Sequence, residues 1–148
     1  MRTRPSRLRT ATATTIIAAA ALLVGCAGSA SREPLAASAL DIGESDFQIT
    51  GPDHVKAGKV LLRVHNSGPD QHELIVARVS GPRLALRSDG LTVNEEALAH
   101  REPGLLEPGR PGAVRELSVD LTPGRYVLFC NMEGHYLGGM HHEIVVDR

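Results

Sequence analysis

Turn signals punctuate this chain from residue 51 onward: Gly51-Pro52-Asp53, Ser67-Gly68-Pro69-Asp70, Ser80-Gly81-Pro82 and Thr122-Pro123-Gly124. Proline fixes φ and lacks an amide proton, and glycine tolerates backbone that other residues avoid, so such clusters end regular elements. The stretches between them are short and rich in Val, Ile and Leu. Residues 46–50, 59–66, 72–79, 113–121, 125–130 and 142–146 each read as a strand. Many short strands with regular turns predict an all-β sandwich or barrel. Residues 83–112 break the rhythm. A short helix is predicted from Val93 to about Arg101, with Thr92 as N-cap, Glu95 as its reciprocal partner and Pro103-Gly104 as its stop. Residues 107–112, Glu-Pro-Gly-Arg-Pro-Gly, read as a surface loop.

The chemistry concentrates between the last two predicted strands, in Phe129-Cys130-Asn131-Met132-Glu133-Gly134-His135-Tyr136-Leu137-Gly138-Gly139-Met140. Cys130, His135 and Met140 offer a thiolate, an imidazole and a thioether on one compact loop. Calcium, magnesium and manganese prefer oxygen, so this set favours copper. One more imidazole would complete a His₂Cys trigonal site with a long axial Met. His72 and His65 are the upstream candidates. His72 is favoured because it follows the turn at residues 66–71. His54 and His100 read as surface residues, Met132 as a loop or core residue. His141 and His142 follow Met140 too closely to join the same ion.

The chain's other cysteine gives Cys130 its weight. Residues 1–25 combine four arginines before residue 10 with an uncharged Ala-, Thr- and Leu-rich run, the pattern of a secretory signal. Leu23-Val24-Gly25-Cys26 resembles a bacterial lipoprotein box, which implies cleavage before Cys26 and its lipidation. Residues 26–40 are small and polar and read as a flexible tether, with the folded domain at 41–148. With Cys26 lipidated, Cys130 is a lone thiol in an exported, oxidising setting, where metal ligation is the economical reason to keep it.

The stretch Tyr126-Val127-Leu128-Phe129-Cys130, four residues, His135, four residues, Met140 resembles the ligand loop of the cupredoxins, the small blue-copper fold. The Cys-x₄-His-x₄-Met spacing is nearest to the rusticyanin and sulfocyanin branch. Upstream, Val55-Lys56-Ala57-Gly58-Lys59-Val60, Asn66-Ser67-Gly68 and His72-Glu73 resemble the family's first-histidine region. The resemblance covers the whole folded domain and implies a Greek-key β-sandwich with a short helix in a middle insertion. It also implies one copper ion cycling between Cu(I) and Cu(II). His72, Cys130 and His135 would be strong ligands and Met140 the weak axial one.

Around these, Asn131 is expected to tie the two ligand loops together. Glu73 stands where better-known members carry Asn or Ser; a carboxylate there favours Cu(II). Tyr136, Leu137 and the loop glycines are expected to form an apolar patch around His135.

The 148 residues carry a formal net charge of −1, two Tyr, two Phe and no Trp, with no basic stripe, so nucleic-acid binding has no support. The expected function is electron transfer between redox proteins of a respiratory chain. The protein would be a monomer lipid-anchored at the outer face of a bacterial membrane, not an enzyme. An extracytoplasmic copper carrier or storage protein is the alternative.

Overall fold

A computed structural model describes residues 38–148 apart from 82 and 99. The signal at 1–25, Cys26 and most of the tether at 26–40 lie outside the described residues. Nine strands form within that range: β1 (Ser38–Ser45), β2 (Gln48–Thr50), β3 (His54–Lys56), β4 (Gly58–Asn66), β5 (His72–Val79), β6 (Gly104–Gly109), β7 (Val114–Leu121), β8 (Gly124–Phe129) and β9 (His141–Asp147). They build two sheets, ordered β2-β1-β4-β7 and β3-β9-β8-β5-β6. Both sheets are mixed, because β1 runs parallel to β4 and β3 runs parallel to β9.

Side-chain alternation explains the packing of the first sheet. β4 buries Val60, Leu62 and Val64 and turns Lys59 and His65 to water. These residues meet Leu74, Val76, Tyr126, Leu128 and Ile144 of the second sheet in the main core, which also holds Cys130 and Met140. The fold is therefore the all-β sandwich that the turn spacing predicts.

β5 and β8 depart from alternation for a reason. Leu74-Ile75-Val76-Ala77 is buried on both faces, as is the run from Tyr126 to Phe129. Leu74, Val76 and Leu128 face the main core; Ile75, Ala77, Val127 and Phe129 face a second one, closed by Val93 and Leu98 of the middle insertion. A continuous apolar strand needs cover on both sides, and the insertion supplies it.

Three expectations change. Residues 38–40, read as the end of the tether, are already strand, paired in parallel with Val60, Leu61 and Leu62. Residues 107–109 of the predicted surface loop belong to β6, an edge strand that tolerates Pro108. The helix shrinks to one 3₁₀ turn, Glu95–Leu98, with Asn94 accepting from the Ala97 amide in place of a Thr92 cap. The Thr92 hydroxyl instead donates to Asp89, at 2.6 Å, because Asp89 closes its own turn on Leu91 and Thr92. The predicted partner Glu95 turns to Asn131.

Candidate metal centre

Cys130 directly follows β8, and its amide donates to the Met140 carbonyl at 3.2 Å, closing the loop between them. Inside the loop His135 N donates to Met132 O (2.9 Å), Gly138 N to Gly134 O (2.9 Å) and Met140 N to His135 O (3.0 Å). Gly134 and Gly139 take φ of 78° and 109°, backbone that side-chain-bearing residues resist. The loop is thus shaped by its own backbone.

His72 arrives from the other side. Asn66, buried at the end of β4, donates to the Asp70 and Gly109 carbonyls (2.8 and 2.9 Å) and accepts from Gly68 N (3.0 Å). This one amide side chain folds the turn at 66–71 that delivers His72 to the start of β5. Pairing of β5 with β6 shifts register between His72 and Leu74, a bulge beside the site.

The two arms bring His72, Cys130 and His135 together, with one ligand atom from each lying within 4.8 Å of the others. The Cys130 Sγ to His135 Nδ1 separation is 3.5 Å, and the two imidazole rings are 5.2 Å apart at their centroids. Met140 is fully buried and bonded through its backbone to both Cys130 and His135. Among the described residues Cys130 is a free cysteine. His65 takes no part: it is 48% exposed on the outer face of β4, 3.7 Å from Asp41. His54 lies at the surface against Asp147, and His142 faces the Pro52 carbonyl at 3.3 Å. Met132 packs against the main core.

The donor set fits a soft or borderline cation, and one orphaned atom supports the fit. His72 Nδ1 is buried with no hydrogen-bond partner, while Nε2 is held by Asp46 at 3.1 Å. A buried imidazole nitrogen left without a partner is costly unless something occupies its lone pair. Burial pushes the His72 imidazole below the ordinary histidine range, against the pull of Asp46. Burial likewise pushes the Cys130 thiol up, against the Met132 and Glu73 amides. Both shifts favour uncharged groups without metal, so thiolate formation at Cys130 is tied to the arrival of a cation. The cluster can hold a single copper ion.

Glu73 and Asn131 do lie around this cluster. Glu73 Oε1 accepts from the Asn131 amide at 2.9 Å, which joins the two ligand-bearing strands. Burial pushes the Glu73 carboxyl up, partly offset by that bond. The Asn131 side chain points to the insertion: it accepts from Val93 N and donates to Val93 O (3.1 Å) and Glu95 Oε1 (2.6 Å). Tyr136 departs from the expected surface patch. It turns inward, edge-on to Phe129 at 5.7 Å, and its hydroxyl accepts from Leu84 N at 3.3 Å. The apolar surface beside His135 comes instead from Leu137 and from Phe47 of the β1–β2 turn, each 52% exposed. Phe47 lies 5.5 Å from the His135 ring. Sequence reasoning gave no role to Phe47 or to Asp46, because both sit in what reads as a strand.

This sandwich, with its His–Cys–His cluster and buried Met, defines the class: a cupredoxin fold with the ligand pattern of a type 1 copper centre. Three solved structures show the same fold. Auracyanin from Roseiflexus castenholzii is 16% identical at a TM-score of 0.56, covering 76% of this chain and 98% of that one. Auracyanin A from Chloroflexus aurantiacus, described as a "blue" copper protein, is 18% identical at 0.55, covering 74% and 98%. Rusticyanin from Thiobacillus ferrooxidans is 11% identical at 0.55, covering 76% and 79%. No family model and no curated protein matches the sequence.

Proposed function

We propose that this protein is a copper-binding electron carrier, with His72, Cys130, His135 and Met140 as its ligands. The observation that carries the reading is the convergence of a buried thiol and two imidazoles, one with an unpartnered Nδ1, beside a buried Met. Copper bound there supplies a one-electron Cu(I)/Cu(II) couple. The protein's part is to hold the donors still. Cys130 and Met140 are fixed in the core, and the loop hydrogen bonds keep His135 in place, so the donors need move little between oxidation states. Four protein donors leave no open position for a substrate, unlike a catalytic metal site. His135 is the half-buried member of the set, flanked by exposed Phe47 and Leu137. This apolar rim is the face where a redox protein of a respiratory chain would dock, the protein itself acting as a monomer.

The test is to load the full chain with Cu(II) and follow the visible spectrum through a redox titration. An intense thiolate-to-copper band that bleaches reversibly is expected. A weak band, with Cu(I) passing readily to a chelator, would instead establish copper carriage or storage.

The tether at the outer face of a bacterial membrane rests on the sequence around Cys26. Cys26→Ser is expected to move the protein from the membrane fraction to the soluble extracytoplasmic fraction and to abolish incorporation of labelled fatty acid. Unchanged membrane association would refute the anchor.

A further inference from the structure

Asp46, Gly68 and His72 meet at the edge of the His72–Cys130–His135 ligand cluster. His72 has no exposed side-chain surface, and its two ring nitrogens are in different situations. Nε2 faces Asp46 Oδ1 at 3.1 Å, while Nδ1 is buried without a partner. A carboxylate only accepts hydrogen bonds, so this contact places the proton on Nε2 and leaves the Nδ1 lone pair free. Gly68 makes the contact possible. A Cβ at that position would stand 2.8 Å from Asp46 Oδ1 and 3.0 Å from His72 Nε2, so any side chain there would push the pair apart. The β1–β2 turn that carries Asp46 also lays Phe47 over the ligand loop, with Phe47 in left-handed backbone at φ 60°. Left-handed backbone is unusual for a bulky residue, and here it marks a turn held in place by its surroundings.

We propose that Asp46 is a positioning residue of the metal centre. It takes the Nε2–H of His72, fixes the tautomer that offers Nδ1 to copper, and strengthens that imidazole as a donor, biasing the centre toward Cu(II). The proposal rests on the copper reading above. Outer-shell carboxylates on ligating histidines act in this way at other metals, and losing one typically weakens metal binding by about 10–100-fold. Asp46 is partly exposed, so water tempers its charge, but the ring it holds is fully buried.

Three variants of the full chain test this: Asp46→Ala, Asp46→Asn and Gly68→Ala. Asp46→Ala is expected to weaken Cu(II) binding by about 10-fold or more with little change for Cu(I). A tenfold differential raises the midpoint potential by about 59 mV. Gly68→Ala should shift the potential the same way by separating the pair from the other side. Asp46→Asn keeps a neutral acceptor and should recover part of the shift. The ¹⁵N shifts of His72 in the metal-free parent should report a proton on Nε2. A Nδ1–H tautomer, or an Asp46→Ala protein with the parent's potential and Cu(II) affinity, would overturn the proposal. The tautomer measurement needs no copper. If the parent gives no intense band, the copper reading fails, while the role of Asp46 in setting the tautomer still stands or falls on the metal-free shifts.

Discussion

Arg115→Met is expected to lower the unfolding free energy by about 3–5 kcal/mol, the range for removing one member of a buried ion pair. Glu44 of β1 has no exposed side-chain surface and is paired with Arg115 of β7 at 2.5 Å. The same guanidinium donates to the Glu107 carbonyl in the opposite sheet, so one side chain bridges the two layers of the sandwich. The pair is not fully satisfied, since Glu44 Oε1 and Arg115 Nε have no partner. Burial pushes the Glu44 carboxyl up against the lowering pull of Arg115. Removing Arg115 leaves burial unopposed and raises the folded-state pKa further.

A carboxyl raised in the fold favours folding when protonated, so its destabilising effect grows as pH climbs above the unfolded value of 4.5. The deficit of Arg115→Met should therefore be full only above the variant's folded pKa and shrink as pH falls from there toward 4.5. Denaturant melts at several pH values measure this. A deficit independent of pH would mean that lost packing, not the stranded carboxylate, dominates. Adding Glu44→Leu should recover much of the loss, because a well-packed apolar pair often replaces a buried ion pair at little cost.

The sandwich was legible because β4, β7, β8 and β9 carry their own local signals: alternation, apolar runs and Gly-Pro boundaries. β1 was not. Its sequence, Ser-Ala-Leu-Asp-Ile-Gly-Glu-Ser, is small and polar, and it becomes a strand by parallel pairing to β4, a contact no local window contains. β6 hid behind Pro108 and Gly109, which read as loop but suit an edge strand.

The centre divides in the same way. Cys130, His135 and Met140 share one loop, so their spacing reveals them, and His72 follows a recognisable turn. Choosing His72 over His65 depends on strand phase: His65 falls on the outward face of β4, whereas His72 opens a strand that is buried on both sides. Asp46 is separated from its partner by 26 residues and reaches it only through the tertiary fold. No periodicity marks such a residue. Asn131 was expected to tie the ligand loops, but the bond between them runs from the backbone N–H of residue 131 to the Glu73 carboxylate. The Asn131 side chain turns to Val93 and Glu95, a contact that depends on where the insertion lands.

Cys130→Ala is expected to abolish the intense visible band and most of the stabilisation that copper confers. Free copper at a thousand times the dissociation constant stabilises a one-site protein by about 4.1 kcal/mol. For a domain of this size that is a rise in melting temperature of roughly 15 °C or more. The parent should show this gain on adding copper, and the variant should show little of it, because the thiolate is the only anionic donor in the set. Metal-free stability is the necessary control. Cys130 is fully buried in the main core, and trimming its sulfur to a methyl should cost only about 1 kcal/mol. The metal-free melts of parent and variant should therefore differ by only about 4–8 °C, while the copper-loaded melts separate widely. His65→Ala, on the outer face of β4, should change neither. A Cys130→Ala protein that keeps the band and the thermal gain would show that copper sits elsewhere. If the variant instead melts far below the parent without copper, the thiol's main role is in packing.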